Sequence, residues 1–483
     1  MSPLASPVGA KVLSALRWSA TTRLIGQAVT WAMTIFVIRL LSPADYGVLA
    51  MAVILPAVLY FLNDLGLDVV LIQRQAGSDT IFRRQVFGVV IVINLLCALI
   101  LVASAPLVAG FFHEPILVPI LKVLSLQFLL LVFETLPRTR LEQGLNFRSQ
   151  SLISLGAGWL GGLTTLVLAS SGWGVWSLVW GRLVSTAATT VALNVVAPSL
   201  CLPSFSLDTI RHALSFGGIV TLERGAWQLF SDADKVIGGR LWSDATLGLY
   251  SVAQDLATMP MNRAGGLIAS IGLPAFSQMQ DRMEDVRFYL LKATRIISVL
   301  SFPLFIGLAV TAPEAVAVLL GPKWPAAAPL LQVLALIMPL RMVATLLPPA
   351  LWSIGRPGIS AGNVLIAALV IPWACLIGAQ WGAMGTAIAW LAAFPVVFAI
   401  TLQRSGGPLG LRMPDFGRAM QGPALASGVM AMAVIGARYL LPDEAGAAAR
   451  LLLLVPAGAV SYLAALLLLE RTALRETAQL VGR

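Results

Sequence analysis

Charged residues are scarce in this 483-residue chain: they make up 11% of it, against about 25% in soluble domains. Histidine is scarcer still. His113 and His212 are the only two, and the hydropathy pattern places them at opposite membrane faces, so neither a histidine metal cluster nor a serine–histidine dyad is expected. The three cysteines, Cys97, Cys201 and Cys375, form no CxxC pair, and we interpret them as small buried hydrophobic residues. The sequence therefore predicts no metal and no cofactor.

Apolar sequence, by contrast, is abundant: 58% of the residues are hydrophobic and the mean hydropathy is +0.88. A membrane-spanning helix needs about 20 apolar residues, and about fourteen segments meet that requirement. We therefore predict an all-α polytopic membrane protein. The predicted spans are 18–41, 46–72, 86–112, 116–137, 151–171, 173–197, 212–238, 246–272, 289–311, 325–350, 360–380, 382–403, 419–441 and 447–470.

The positive charges are sorted by loop, and this sorting predicts the orientation of the chain. Nineteen lysines and arginines fall on the side that holds both termini, and five fall on the opposite side. Because cytoplasmic loops carry the excess of Lys and Arg, both termini are predicted to be cytoplasmic, which requires an even number of spans. The net charge of +10 is thereby explained without nucleic acid as a partner.

No connection between the predicted spans exceeds about twenty residues, so there is no room for a soluble catalytic domain. The sequence also lacks a Gly-rich phosphate loop of the P-loop type, which argues against direct use of ATP. The chain is therefore predicted not to be an enzyme.

The sequence contains an internal repeat. After a shift of 201 residues without a gap, RLLSPADYG is echoed by RLWSDATLG, and two arginine pairs fall into register: Arg23 with Arg224, and Arg39 with Arg240. An ungapped register held across a helix, a turn and the next helix indicates two related halves, as is common in transporter folds.

The repeat also contains an unusual run of charge. The segment 212–240 lies between long apolar stretches, yet it is charged in its interior. Placing one charge near the bilayer centre costs roughly 3 kcal/mol on insertion scales, so such side chains usually face a protein interior or a water-filled cavity. This segment is therefore a candidate functional helix; its charged residues are Glu223, Arg224, Asp232, Asp234 and Lys235.

Three stretches carry a resemblance to a known family. They are RLLSPADYGVLAMAVILPAVLYFLNDLGLDVVLIQRQ (Arg39 to Gln75), DKVIGGRLWSDATLGLYSVAQDLATMP (Asp234 to Pro260) and AFSQMQ (Ala275 to Gln280). Together with the span count and the repeat, they resemble bacterial polysaccharide exporters of the Wzx and WzxC type, in the MOP flippase superfamily.

The resemblance implies a MATE-like, V-shaped body of two six-helix lobes related by a pseudo-twofold axis. The expected domains are an N-lobe at 1–205, a C-lobe at 206–404 and a C-terminal helix pair at 405–483. The implied activity is alternating-access transfer of an undecaprenyl-diphosphate-linked oligosaccharide across the bacterial cytoplasmic membrane, for exopolysaccharide, capsule or O-antigen synthesis. Polysaccharide polymerases and assembly proteins are the implied partners, and a monomer is expected.

Positive side chains facing a central cavity would neutralise the diphosphate, and arginine suits this role because its planar fork contacts phosphate oxygens bidentately. Arg23 and Arg224 are the first candidates because they occupy matching positions on spans 1 and 7. The alternatives are snorkelling to headgroups for Arg23 and an internal ion pair for Arg224. Further cavity candidates are Arg182, Arg341 and Arg263, and Asp232 is a candidate contact to the substrate or a cation.

The acidic residues have two interpretations. Asp64 and Asp68 lie one helical turn apart on span 2 and so share a face; proton coupling is open to them, while pairing with Arg74 or a helix-terminal role is the favoured alternative. Glu223 is a possible partner of a nearby cation. Asp234 is expected to make polar links to neighbouring helices. Asp255 is expected either on a cavity wall or in an interhelical pair.

Two other functions are compatible with parts of this pattern. A small-molecule antiporter of the same superfamily would share the fold, but an arginine-rich cavity repels cationic drugs. A membrane enzyme of glycan assembly would need a catalytic loop that the sequence lacks.

Overall fold

Where the structure describes them, the apolar segments fold as α-helices, as predicted, and this part of the chain contains no β-strand. The computed structural model describes residues 26, 29–64, 80–144, 146–199, 201–206, 228, 231–277, 279, 282–442 and 446–469, with the backbone alone at 61–64, 147 and 262–275. Helices satisfy every internal backbone N–H and C=O group, which a bilayer requires because it offers no water.

The chain divides into two compact units, Met1–Leu229 and Phe230–Arg483. The described helices of the first unit are α1 (Val29–Leu40), α2 (Pro43–Asp64), α3 (Thr80–Phe112), α4 (Leu117–Leu131), α5 (Thr135–Gln143), α6 (Phe147–Ser170) and α7 (Val175–Val196). Those of the second are α8 (Ala233–Leu241), α9 (Asp244–Ser277), α10 (Met283–Val310), α11 (Ala312–Leu319), α12 (Ala327–Ala344), α13 (Leu347–Ser353), α14 (Pro357–Gly378), α15 (Gly382–Leu409), α16 (Met413–Leu440) and α17 (Ala447–Leu469).

Within the described residues, nine helical runs are long and apolar enough to cross a membrane. There are ten if α4 and α5, which meet at a bend of 45°, form one span. The run Pro357–Leu409 counts once in these numbers although a 3-10 turn at Ala379–Trp381 divides it, and its two halves, α14 and α15, pack against each other. The chain is a multi-pass membrane protein, and the count of fourteen spans stays a prediction.

The predicted domain limits differ from the division into units. The boundary between the units falls at residue 229, inside the predicted C-lobe, and α16 and α17 belong to the second unit. These two helices pack on α10, where the Tyr462 hydroxyl donates to the backbone oxygen of Val299 at 2.8 Å. A separate C-terminal helix pair at 405–483 therefore stays a prediction.

The internal repeat has a structural counterpart where α2 and α9 begin. The backbone nitrogen of Asp45 donates to the Ser42 hydroxyl at 3.3 Å, and that of Thr246 donates to the Ser243 hydroxyl at the same distance. Both serines satisfy a backbone N–H that the first turn of a helix leaves without an intrahelical partner. Ser42 and Ser243 are separated by the 201 residues of the sequence repeat, so the two halves begin their second helix in the same way.

Glycine pairs allow two helical hairpins to close tightly. Gly161 on α6 faces Gly181 on α7, and Gly378 on α14 faces Gly385 on α15; a Cβ atom at any of these positions would collide with the facing helix. Small residues at helix contacts permit the close approach on which packing in membranes depends.

A buried ion pair joins α11 to α16. Arg438 donates to Glu314 Oε2 at 2.6 Å and to the backbone oxygen of Val310, and the Glu314 side chain is only 6% exposed. Replacing Glu314 with leucine is expected to lower the free energy of unfolding by about 3 kcal/mol, because the arginine keeps its charge and loses its carboxylate. Thermal unfolding of the purified protein in detergent checks this expectation.

The matched control for Glu314→Leu is Arg287→Gln, which breaks the pair between Arg287 and Asp415 at 3.4 Å. The Arg287 side chain is 50% exposed, so this pair is worth less than about 1 kcal/mol. Equal loss of Tm in the two variants would contradict the role assigned to the Glu314 pair.

Candidate functional site

The polar centre of the second unit is the Asp234 carboxylate, which is fully buried. Its Oδ2 atom accepts hydrogen bonds from the Tyr250 hydroxyl at 2.7 Å, from Gln254 Nε2 at 2.7 Å and from the Trp390 indole nitrogen at 2.8 Å. Its Oδ1 atom accepts from the backbone nitrogen of Lys235 at 2.8 Å. Asp234 thus links α8 to α9 and α15, which confirms the predicted polar links between helices.

The local sequence explains this arrangement. Tyr250 and Gln254 are four residues apart on α9, so both side chains project from one face of the helix toward α8. Trp242, immediately after α8, packs edge-on against Tyr250 and donates its indole N–H to the backbone oxygen of Ala379. These contacts fix α8 between α9 and the hairpin of α14 and α15.

Beside this cluster lies a chain of charges. The Lys235 ammonium is 3.8 Å from Asp232 Oδ1 and 3.5 Å from Asp255 Oδ1. The Lys235 and Asp232 side chains are 17% and 20% exposed, whereas that of Asp255 is 70% exposed. The structure therefore places Asp255 in an interhelical pair and also leaves most of its side chain accessible.

Arg341 on α12 is held by aromatic rings. Its guanidinium carbon lies 4.8 Å from the centroid of the Trp390 ring and 6.0 Å from that of Phe394. Among the residues described, no carboxylate forms an ion pair with it. Arg341 lies in the last turn of α12, but the apolar run that α12 begins, Ala327–Ser353, is 27 residues long, so Arg341 falls near the middle of that run.

These groups form a connected set, in which Trp390 contacts both the Asp234 carboxylate and the Arg341 guanidinium. The carboxylates of Asp232, Asp234 and Asp255 outnumber the cations Lys235 and Arg341 by one. However, Lys235 lies between two of these acids, and four donors surround the third. The N–H groups of Arg341 stay available to an anion, because cation–π contact uses the face of the guanidinium plane and leaves its edge open.

In the first unit, the cavity candidate Arg182 is exposed on α7. Within the described residues it makes no ion pair. Glu134, an acid of the same unit that is 5% exposed, accepts from Arg138 at 2.7 Å and from the Thr190 hydroxyl at 3.0 Å. Arg182 stays a prediction as a cavity residue.

Several predicted site residues are not placed by the structure. Arg23 and Arg224, which form the first repeat pair, lie outside the described residues, and so do Glu223 and Asp68. Asp64 ends α2 and Arg263 lies within α9, but only their backbones are described. The roles proposed for these six residues therefore stay predictions.

The search for charged residues missed the neutral members of the site, Tyr250, Gln254, Trp390 and Phe394. A usable signal existed for two of them: a buried carboxylate needs hydrogen-bond donors, and Tyr250 and Gln254 share a helical face shortly after Asp234. Trp390 lies 156 residues from Asp234, and no local pattern points to it.

The repeat shows that this site belongs to the second half alone. In the 201-residue register, Asp234, Tyr250 and Gln254 correspond to Met33, Leu49 and Val53. The first half therefore has apolar residues where the second has its buried acid and two of the donors, and the two units differ in chemistry although they share a helical plan.

Comparison with solved structures defines the class of fold. The chain aligns with the lipid II flippase MurJ in an inward closed conformation at a TM-score of 0.74, covering 92% of this chain and 98% of that one at 14% identity. It aligns with an inward-facing multidrug resistance MATE family transporter of the MOP superfamily at a TM-score of 0.60, covering 78% and 94% at 15% identity. The chain therefore has the helical fold of this transporter class.

Sequence comparison gives the family. Residues 36–329 match the polysaccharide biosynthesis protein family, and the chain belongs to that family. It is 28% identical over 450 residues to the succinoglycan biosynthesis transport protein ExoT of Rhizobium meliloti, covering 90% of this chain and 89% of that one. It is 26% identical over 390 residues to the lipopolysaccharide biosynthesis protein WzxC of Escherichia coli, covering 79% and 78%. The resemblance noted in the sequence is confirmed.

Proposed function

We propose that this chain is a flippase that carries an undecaprenyl-diphosphate-linked oligosaccharide across the bacterial cytoplasmic membrane for the synthesis of a surface polysaccharide. The observation that carries the proposal is Arg341, a cation deep in a membrane helix that rests on aromatic rings and forms no ion pair with a carboxylate of the described residues. Such a cation offers its donors to a diphosphate. The polysaccharide family and the fold shared with a lipid II flippase support the proposal.

Further features belong to the same proposal. Both termini lie in the cytoplasm. The cavity between the N- and C-lobes opens in turn to each side of the membrane, and the prenyl tail stays in lipid while the diphosphate and sugars cross. Arg23 and Arg224 face the cavity together with Arg182 and Arg263. The protein acts as a monomer beside polysaccharide polymerases and assembly proteins.

The test is transport in proteoliposomes that contain the purified protein and a fluorescent undecaprenyl-diphosphate oligosaccharide. Dithionite added outside bleaches only the outer leaflet, so a flippase is expected to make nearly all of the label accessible, where protein-free vesicles expose about half. Vesicles with an unrelated polytopic protein at the same density control for leakage. Label that stays protected at the level of this control would contradict the proposal.

A cation antiporter is the second candidate function, because Asp255, on α9 within the predicted span 246–272, carries a carboxylate that is 70% exposed. An accessible carboxylate within a span would attract an organic cation. Uptake of ethidium by the same vesicles under a proton gradient distinguishes the two functions. Gradient-dependent ethidium movement without lipid transfer would favour the antiporter.

A further inference from the structure

The contact between Arg341 and Trp390 differs from the usual way of stabilising a buried arginine. A carboxylate would neutralise the guanidinium and occupy two of its five N–H donors. The faces of Trp390 and Phe394 instead attract the cation through the ring quadrupole and occupy no donor. The stack therefore holds the charge in place and keeps its hydrogen-bonding edge available.

The orientation of Trp390 is itself fixed. The indole is 1% exposed, and its N–H donates to Asp234 Oδ2 at 2.8 Å. Asp234 cannot turn away, because Tyr250 and Gln254 donate to the same oxygen atom and the Lys235 backbone donates to the other. A carboxylate hydrogen-bonded to the indole also adds electron density to the ring system, which strengthens its attraction for a cation.

We propose that Trp390 is a positioning residue that holds Arg341 in the orientation that binds the diphosphate, and that Asp234 anchors Trp390. This inference rests on the proposed function, whose substrate carries the diphosphate. Asp234 acts through Trp390 and does not touch the substrate. The alternative is that Trp390 only fills the helix core, as most buried aromatic residues do.

The test is a double-mutant cycle on ligand binding. The probe is farnesyl diphosphate, a soluble polyprenyl diphosphate, and its affinity for the purified protein in nanodiscs is measured by isothermal titration calorimetry. Trp390→Phe, which keeps a ring but loses the N–H, is expected to weaken binding about threefold, and Trp390→Leu about tenfold. In an Arg341→Gln background, Trp390→Leu is expected to weaken binding by less than about twofold, because its effect passes through Arg341.

Trp381→Leu is the matched control, since this tryptophan lies next to the start of the same helix and is 71% exposed. It is expected to leave the affinity unchanged. If Trp390→Leu does not fold, Trp390→Phe takes its place in the cycle. Equal loss of affinity from the Trp390 substitution in both backgrounds would overturn the inference, because Trp390 would then act independently of Arg341.

The binding and transport results separate the two proposals. A cycle that shows coupling, in a protein that moves no lipid-linked oligosaccharide, would leave the positioning role intact and overturn the proposed function. Transport of the lipid-linked oligosaccharide by a protein whose Trp390 and Arg341 substitutions have additive effects on binding would support the proposed function and overturn the positioning role. Absence of farnesyl diphosphate binding by the wild type would overturn the positioning role, whatever the transport assay shows.

Discussion

Replacing Arg341 with glutamine is expected to lower the initial rate of lipid-linked oligosaccharide transfer about 30- to 100-fold. Charge-assisted hydrogen bonds to phosphate are worth about 1.5–3 kcal/mol, and glutamine offers the diphosphate no positive charge. Lysine at this position keeps the charge but loses the planar fork, so Arg341→Lys is expected to retain more activity than Arg341→Gln. The proteoliposome assay with the fluorescent substrate measures both rates.

Arg404→Gln is the control for this experiment. Arg404 is an exposed arginine near the end of α15; its Nε donates to Asn363 at 3.0 Å, and it lies outside the cluster around Trp390. Its substitution is expected to leave the transfer rate within about twofold. Equal rates for Arg341→Gln and Arg404→Gln would show that the cation on Trp390 has no part in transport.

Replacing Asp234 with leucine is expected to lower the free energy of unfolding by at least as much as Glu314→Leu does, about 3 kcal/mol or more. The substitution leaves the Tyr250 hydroxyl, the Gln254 amide and the Trp390 indole buried without their acceptor, and each such group costs about 1–3 kcal/mol. Thermal unfolding in detergent, followed by the monodisperse fraction in size-exclusion chromatography, measures the effect.

Two milder substitutions calibrate that loss. Tyr250→Phe removes one of the donors to Asp234 and keeps the ring, so it is expected to cost about 1 kcal/mol. Asp234→Asn keeps the shape but turns one acceptor into a donor, and it is expected to fall between Tyr250→Phe and Asp234→Leu. An Asp234→Leu protein with the Tm of the wild type would contradict the anchoring role of this carboxylate.

The buried acid Asp234 and its donors Tyr250 and Gln254 are present in the second half of the repeat and absent from the first. Met33, Leu49 and Val53 occupy the corresponding positions of the first half and pack without hydrogen bonds.

The sequence by itself determined the features that depend on local patterns. Hydropathy over about 20 residues predicted the apolar helices, because the bilayer imposes that length on any span. The register of 201 residues predicted two related halves, and Ser42 and Ser243 share that register because a helix N-terminus is satisfied by residues next to it in the chain. Family membership likewise followed from contiguous motifs.

Only the tertiary structure decided which buried charges are satisfied and by which groups. Asp234 was recognisable as a buried acid, but its partner Trp390 comes from α15, and Arg341 reaches the same indole from α12. Contacts of this kind depend on which helix faces meet and at what height, and helix packing sets both across more than a hundred residues of chain. A count of charges therefore located the site, whereas the neutral residues that organise it required the packed helices.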